Sequence, residues 1–340
     1  MKQTILVTGG TGYIGSHTIV DLQENGYEVI CVDNQSKSLI SVLDNIQSIT
    51  SIKPISYSVD LVDYDALEQV FANHPTIAGI IHFAAYKAVG ESVQQPLMYY
   101  ENNMFGLINL LKCVAKYNIP NFVFSSSCTV YGNPKDSRVT EQTPKQPAAS
   151  PYGATKQMGE TIITDFAVAQ KNKNILLRYF NPVGAHPSNL LGEISGDKPQ
   201  NLVPAITKTA IGKMPQMTVF GNDYDTRDGS CVRDFIHVCD IAHAHTLAIQ
   251  YLLDNKLKEN VIAFNLGTGN GITVLEAIKT FEEVSGTKLN YVLGNRRAGD
   301  VVSIYANNDF VKQELGWDPK LGLNEMMHTA WQWELKQNKA

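Results

Sequence analysis

Tyr152 and Lys156 stand four residues apart in Ser150-Pro151-Tyr152-Gly153-Ala154-Thr155-Lys156, a spacing that puts a phenol and an ammonium on one helix face. A nearby ammonium favours the phenolate and lowers a pKa that starts near roughly 10, so the pair predicts a tyrosine able to exchange a proton. Ser150 is a natural N-cap and Pro151 suits the first helical position. Upstream, Ser125-Ser126-Ser127 continue the apolar run 121–124, which places three hydroxyls at a strand's carboxyl end, where donors to a substrate oxygen are wanted. A tyrosine and lysine at this spacing recur on unrelated helices; here the weight comes from what precedes them.

What precedes them is the opening stretch, Thr4-Ile5-Leu6-Val7-Thr8-Gly9-Gly10-Thr11-Gly12-Tyr13-Ile14-Gly15-Ser16. A β-branched, apolar run feeds a glycine cluster and then the apolar-periodic residues Ile14, Thr18, Ile19 and Leu22, so strand, tight turn and helix are expected. Glycines suit a mononucleotide cradle because a Cβ would hold the loop away from a pyrophosphate, whose charge is met by the helix N-terminus. Two spacings overlap, Gly10-x-Gly12-x-x-Gly15 and Gly9-x-x-Gly12-x-x-Gly15. A second strand over 27–32 ends at Asp33, where an acidic residue meets the adenosine ribose hydroxyls, and a carboxylate there selects NAD over NADP. A turn residue ahead of Asn34 is the alternative reading of Asp33.

These groups need a framework to hold them. Asn34, Gln35, Ser36, Lys37 and Ser38 form a polar turn at the adenosine end of such a cofactor, followed by a helix through Val42, Leu43 and Ile46. The strand 55–59 leads to Asp60 and Leu61; pattern alone does not separate an adenine contact at Asp60 from a helix-start aspartate. The run 79–85 is apolar enough for a central parallel strand, and it opens into Tyr86 and Lys87, within reach of a cofactor hydroxyl. One long helix is expected over 96–117, carrying Asn102 and Asn103, and the proline-rich stretch 134–151 is expected to be irregular. Helices over 238–253, 274–284 and 323–333 read as packing elements.

The chain has 340 residues, a formal net charge of −5 and no long basic run, which argues against nucleic acid as its main partner. The sequence passes from Met1-Lys2-Gln3 straight into the first strand and no apolar run reaches spanning length, so a soluble, cytoplasmic protein is expected. Five scattered cysteines without a C-x-x-C pair suggest neither a disulfide framework nor a zinc site, and no metal is expected from His243 and His245.

Together these residues resemble the extended short-chain dehydrogenase/reductases and, among them, the UDP-glucose 4-epimerase family, over residues 4–333. The resemblance rests on the glycine loop and Ser125-Ser126-Ser127, shared by many relatives. More specific are Lys87-Ala88-Val89-Gly90-Glu91-Ser92-Val93, Ser150-Pro151-Tyr152-Gly153, Leu177-Arg178-Tyr179-Phe180-Asn181-Pro182-Val183-Gly184-Ala185-His186-Pro187 and Val232-Arg233-Asp234-Phe235-Ile236-His237-Val238. It implies an α/β, doubly wound parallel (Rossmann) sheet with a smaller C-terminal α/β lobe for the nucleotide sugar. The NAD domain would span 1–180, completed around 235–265, and the UDP-sugar lobe mainly 181–340.

It further implies that Tyr152 is base and acid at the sugar C4 hydroxyl, that Lys156 lowers its pKa and holds the nicotinamide ribose, and that Ser127 binds the C4 oxygen. NAD would be surrounded by Gly9, Gly12, Tyr13, Ile14, Gly15, the turn from Asp33 to Ser38, Asp60, Leu61, Phe83, Ala84, Ala85, Tyr86, Lys87, Asn102 and Phe180. Asn181, Asn201, Leu202, Arg233, Arg297 and Asp300 would hold the UDP moiety, with backbone edges from Thr218, Val219 and Phe220. The two arginines also make sense as planar forks for a diphosphate in a half of the chain without a glycine cradle of its own.

Cys128-Thr129 stands where sugar 4,6-dehydratases of the superfamily carry an acidic pair, which argues against dehydration. Ile304 occupies the hexose-pocket gatekeeper position and leaves N-acetylated sugars open. The expectation is reversible interconversion of UDP-glucose and UDP-galactose by a homodimer. The alternatives are an epimerase for UDP-N-acetylglucosamine or UDP-glucuronate, and a catalytically silent NAD-binding regulator.

Overall fold

A computed structural model describes residues 2–196, 199–297 and 300–338. The chain divides into two compact units, one of Met1–Gly132, Lys145–Tyr179 and Ala242–Phe264, the other of Asn133–Pro144, Phe180–Ile241 and Asn265–Ala340.

The first unit is organised on a seven-stranded sheet in the order Val261–Leu266, Lys173–Tyr179, Asn121–Ser127, Ile77–His82, Thr4–Thr8, Glu28–Val32, Ile55–Tyr57. Thr4–Thr8 pairs in parallel with both Glu28–Val32 and Ile77–His82, and parallel pairing runs outward to Ile55–Tyr57 and to Lys173–Tyr179. The strand order therefore reverses beside Thr4–Thr8, and ligands of such sheets gather at that switch point, beyond the carboxyl ends. Ile5, Leu6 and Val7 are fully buried, as the central strand of a sheet covered on both faces must be. Leu6, Ile30, Ile80, Phe122 and Leu176 pack with Leu107, Leu110 and Val114 from the covering helix.

Two local expectations change. The helix over 96–117 is interrupted: α-helical Pro96–Tyr100 passes into a π-helical turn, Glu101–Phe105, before α-helix resumes over Gly106–Lys116. The apolar periodicity does not register the extra residue; Asn103 on this turn hydrogen-bonds Tyr86 and Thr155, far from it in sequence. The helix Tyr64–Asn73 is capped by Asp63, which accepts Ala66 N at 3.1 Å, and Asp60 instead accepts Val62 N at 2.9 Å in a local turn.

The second unit holds a four-stranded sheet in the order Ile272–Thr273, Val232–Arg233, Ser303–Ala306, Arg138–Val139. Two parallel pairs accompany it, Phe235–His237 with Asn181–Val183 and Tyr291–Gly294 with Met217–Phe220. Val203, Ile206, Phe235, Phe281 and Met327 form its core with the helices Leu202–Ala210, Val274–Ser285 and Leu323–Gln337. Thr273 and Glu276 close a capping box that fixes where the middle helix begins. Among the described residues no helix is long and apolar enough to cross a membrane.

Candidate active site

The glycine loop is built for close approach. Gly9 adopts φ +68°, and a Cβ there would lie 2.7 Å from Ala84 N; a Cβ on Gly15 would collide with the Gly9 carbonyl. Gly12 is the N-cap of the helix Tyr13–Glu24, with no side chain capping the first turn, and a Cβ on it would meet only the Gly9 carbonyl within 4 Å. The loop is thus packed tightly inward and open above the helix N-terminus, where a diphosphate is favoured.

At the end of the neighbouring strand, Asp33 accepts Thr11 N at 3.1 Å and Gln35 N at 2.7 Å. Asn34 donates to Asp60 at 2.9 Å, Thr11 and Ser38 share a hydrogen bond of 2.6 Å, and Lys37 bridges to Glu91 at 3.3 Å. On the other side Phe83 N donates to Thr8 O at 3.0 Å, and Lys87 lies over the Tyr13 ring at 5.6 Å. These three loops leave the carboxyl ends of three adjacent strands, and their residues fit a dinucleotide with an unphosphorylated adenosine ribose.

The strand Asn121–Ser127 and the helix Pro151–Gln170 carry Ser127, Tyr152 and Lys156. The helix starts as its sequence demands, with Ser150 Oγ accepting Gly153 N at 3.2 Å and Pro151 in the first turn. Tyr152 is hydrogen-bonded to Ser127, whose Oγ also accepts Thr129 N at 3.2 Å. Burial pushes the Tyr152 phenol above its ordinary pKa, and the Ser127 hydrogen bond acts against that rise.

Lys156 differs from the simple expectation. Its Nζ donates to Ser125 O at 2.6 Å and lies 4.9 Å from the Phe124 ring centroid and 5.8 Å from that of Tyr152. Burial brings its pKa down to about 7, with the Glu160 carboxylate pulling the other way. The group seen to act against the rise at Tyr152 is the Ser127 hydroxyl. His82 hydrogen-bonds Thr8 at 2.7 Å and is held neutral, down to about 3, by burial and then by the Lys156 charge.

In the second unit Arg233 and Arg297 meet on one carboxylate. Arg297 Nη2 donates to Asp300 at 2.7 Å, and Arg233 Nη2 lies 3.8 Å from the same oxygen while its Nη1 donates to Val301 O at 2.6 Å. Arg297 also lies over the Phe220 ring at 5.6 Å. Thr218 and Phe220 are exposed on a strand whose Met217 and Val219 face the core, which leaves a polar and an aromatic side chain outward. Asn201 donates to Glu193 at 2.8 Å beside Leu202, and Asn181 N bonds Asp234 O at 3.0 Å next to buried Phe180. Ile304 is 5% exposed and lies in register with Arg233.

The first unit thus presents a phenol, a lysine and a serine at the carboxyl edge of a nucleotide-type sheet, and the second a paired-arginine site. The sequence model of a family described as GDP-mannose 4,6 dehydratase matches residues 6–330. The UDP-glucose 4-epimerase of Bacillus subtilis (strain 168) is 47% identical over 331 residues, covering 97% of this chain and 96% of that one. That of Drosophila melanogaster is 45% identical, covering 97% and 96%. The chain belongs to the UDP-glucose 4-epimerase family. Among solved structures, the Bifidobacterium longum UDP-glucose 4-epimerase in complex with NAD+ and UDP superposes with a TM-score of 0.94 at 43% identity, covering 99% of both chains. The Stenotrophomonas maltophila enzyme with bound NAD and formylated UDP-arabinopyranose gives 0.95 at 41% identity, again covering 99% of both.

Within this epimerase-family fold, the structure adds residues that spacing did not single out. Asn103, on the π-helical turn, accepts Tyr86 N at 2.8 Å and donates to Tyr86 O and to Thr155 Oγ1, each at 3.1 Å. Thr155 in turn donates to the Tyr152 carbonyl at 2.7 Å. One amide therefore links the Phe83–Lys87 loop to the first turn of the Tyr152 helix. Two adjacent asparagines in an apolar helix were its only sequence signal.

Proposed function

We propose that this chain interconverts UDP-glucose and UDP-galactose through a transient 4-keto sugar, with Tyr152 as the general base and acid. The observation that carries the assignment is the side-by-side placement of Ser127 and Tyr152, hydrogen-bonded to each other, with Lys156 Nζ on Ser125 O and 5.8 Å from the Tyr152 ring centroid, at the carboxyl edge of the sheet that also carries the glycine loop.

When bound, NAD supplies the acceptor and the donor for the hydride at C4. Tyr152 takes the C4 hydroxyl proton and returns it after the sugar has presented its other face. Ser127 binds the C4 oxygen and holds the phenol in place. Substrate oxygen in the pocket brings Tyr152 a second partner besides Ser127, and an ammonium at Lys156 offsets the phenolate as it forms. Gly9, Gly12, Gly15 and the Asp33–Ser38 turn bind the dinucleotide, while Arg233 and Arg297 bind the diphosphate of the sugar nucleotide by exchanging part of their contact with Asp300. Anchoring on the UDP leaves the hexose free to turn. Residues 1–180 with part of 235–265 serve NAD, and the remainder of 181–340 mainly serves UDP.

The same reading makes the protein a cytoplasmic homodimer. Leu97, Phe105, Ile108 and Met158 are exposed on the helices that would pair, and Met104, Gln157, Met158, Thr161 and Ile162 line a groove of about 440 Å³ there. Light scattering at the mass of two chains is the expected result.

Product analysis with UDP-galactose and no added NAD tests the assignment. UDP-glucose should accumulate, because tightly retained cofactor makes addition unnecessary; no product from NAD-replete protein would contradict it.

A further inference from the structure

Glu160 stands four residues beyond Lys156 and eight beyond Tyr152, so the helix Pro151–Gln170 presents all three on one side. Its carboxylate is 1% exposed. Arg178 donates to it through Nε and Nη2 at 2.8 Å each, Lys145 Nζ lies at 2.6 Å, and Ser126 Oγ also donates to it. Ser126 sits between Ser125, whose carbonyl is the Lys156 acceptor, and Ser127, the Tyr152 partner. The strand end is thus held to the helix at three successive residues, and Glu160 provides the middle attachment.

Lys156 is buried with a neutral carbonyl as its hydrogen-bond partner. The titratable groups around it are His82 on the strand Ile77–His82, Tyr179 on Lys173–Tyr179, and Tyr152 and Glu160 on its own helix, with Cys128 beside Tyr152. Arg178 and Lys145 lie behind Glu160. Glu160 is the carboxylate of that set.

We infer that Glu160 is a positioning residue for the catalytic pair, docking the strand end at 125–127 on the helix and supplying the counter-charge for the Lys156 ammonium. This rests on the proposed proton chemistry of Tyr152 and Lys156. Arg178 and Lys145 belong to the same device: they hold Glu160 below the usual carboxylate range against the rise that burial imposes. A carboxylate kept ionised in this way stays negative wherever the enzyme works.

Glu160→Gln keeps the size of the side chain and removes its charge, leaving two cations behind Lys156. The midpoint for loss of the Lys156 proton should fall by about one pH unit, tenfold in the ionisation constant. It can be followed by NMR of the holoenzyme grown on isotope-labelled lysine, with the Lys156 signal assigned by its loss in Lys156→Met. The alkaline limb of kcat for UDP-galactose should move down with it, while KM stays within about twofold. A uniform fall in kcat with the Lys156 midpoint unmoved would reduce Glu160 to a packing residue and overturn the inference. If Glu160→Gln does not fold because Arg178 is stranded, Lys145→Met, which takes a half-exposed cation off Glu160 and leaves the carboxylate in place, should raise the Lys156 midpoint, and an unmoved or lowered midpoint there overturns the inference equally. The NMR midpoint needs no substrate, so its outcome stands apart from any failure of the epimerase assignment itself.

Discussion

Each unit gathers cations around a carboxylate, and solvent makes the two clusters do different work. In the first unit Glu160, Arg178 and Lys156 are 1%, 5% and 4% exposed. Taking charges out of water is costly, so such groups persist only in fixed, fully partnered geometry. In the second unit the Arg297 side chain is 53% exposed, whereas Asp300 and Arg233, which meet it there, are 12% and 18% exposed. The Arg297 arm is a partly exposed contact of the kind worth roughly 0–1 kcal/mol, so that arm can be given up at little cost. The first cluster is closed to water at Glu160, Arg178 and Lys156, whereas the second is open at Arg297.

The largest effect expected is on the buried side. Tyr152→Phe removes the proton-transfer group and should lower kcat by about 10³-fold, within the usual range for general acid–base catalysis, while copurifying NAD is retained. Turnover assays with quantitation of released dinucleotide check both halves. A variant with near-normal turnover would place the chemistry elsewhere.

On the exposed side, Arg233→Ala or Arg297→Ala should weaken UDP binding by about 10- to 100-fold, from the loss of charge-assisted hydrogen bonds worth roughly 1.5–3 kcal/mol. Titration calorimetry with UDP measures it. NAD content should be unchanged, which distinguishes these variants from any lesion in the glycine loop.

Acid compares the units through two of their buried histidines, His82 in the first and His237 in the second. Burial lowers His82 to about 3 and His237 to about 4. Both folded values lie below the unfolded value near roughly 6.5, so the unfolded chain binds more protons between the two, and stability falls as pH drops through that window. At pH 5 each histidine should cost about 2 kcal/mol relative to pH 7.5, read by denaturant unfolding. His82→Asn should flatten about half of that slope; an unchanged slope would mean that His82 does not titrate on unfolding.

The sequence made some of this legible because the determinants are local. Gly9, Gly12 and Gly15 mark a turn that a Cβ would obstruct, and Ser150-Pro151 marks a helix start two residues before the side chain that matters. The helix Val238–Leu253 follows from its apolar pattern in the same way. What remained hidden depends on partners distant in sequence. Glu160 meets Ser126, Lys145 and Arg178, and Asn103 meets Tyr86 and Thr155, contacts that no periodicity announces. Asp63 rather than Asp60 caps its helix because the chain makes one more turn first, and three aspartates within six residues offer no local basis for the choice.

The smallest effect separates substrate preferences. Ile304 is buried on the strand paired with Val232–Arg233, so Ile304→Ser both opens space and costs core stability. Activity on UDP-N-acetylglucosamine relative to UDP-glucose should rise about tenfold, the usual scale for pocket-size discrimination. An unchanged ratio would remove Ile304 from the hexose pocket.

The most direct measurement uses UDP-galactose carrying deuterium at C4, converted by the purified holoenzyme in ordinary water. If Tyr152 moves only the hydroxyl proton and the C4 hydrogen leaves and returns within the closed pocket, UDP-glucose should form with its label intact at C4. Loss of deuterium to solvent at a rate matching turnover would contradict that mechanism.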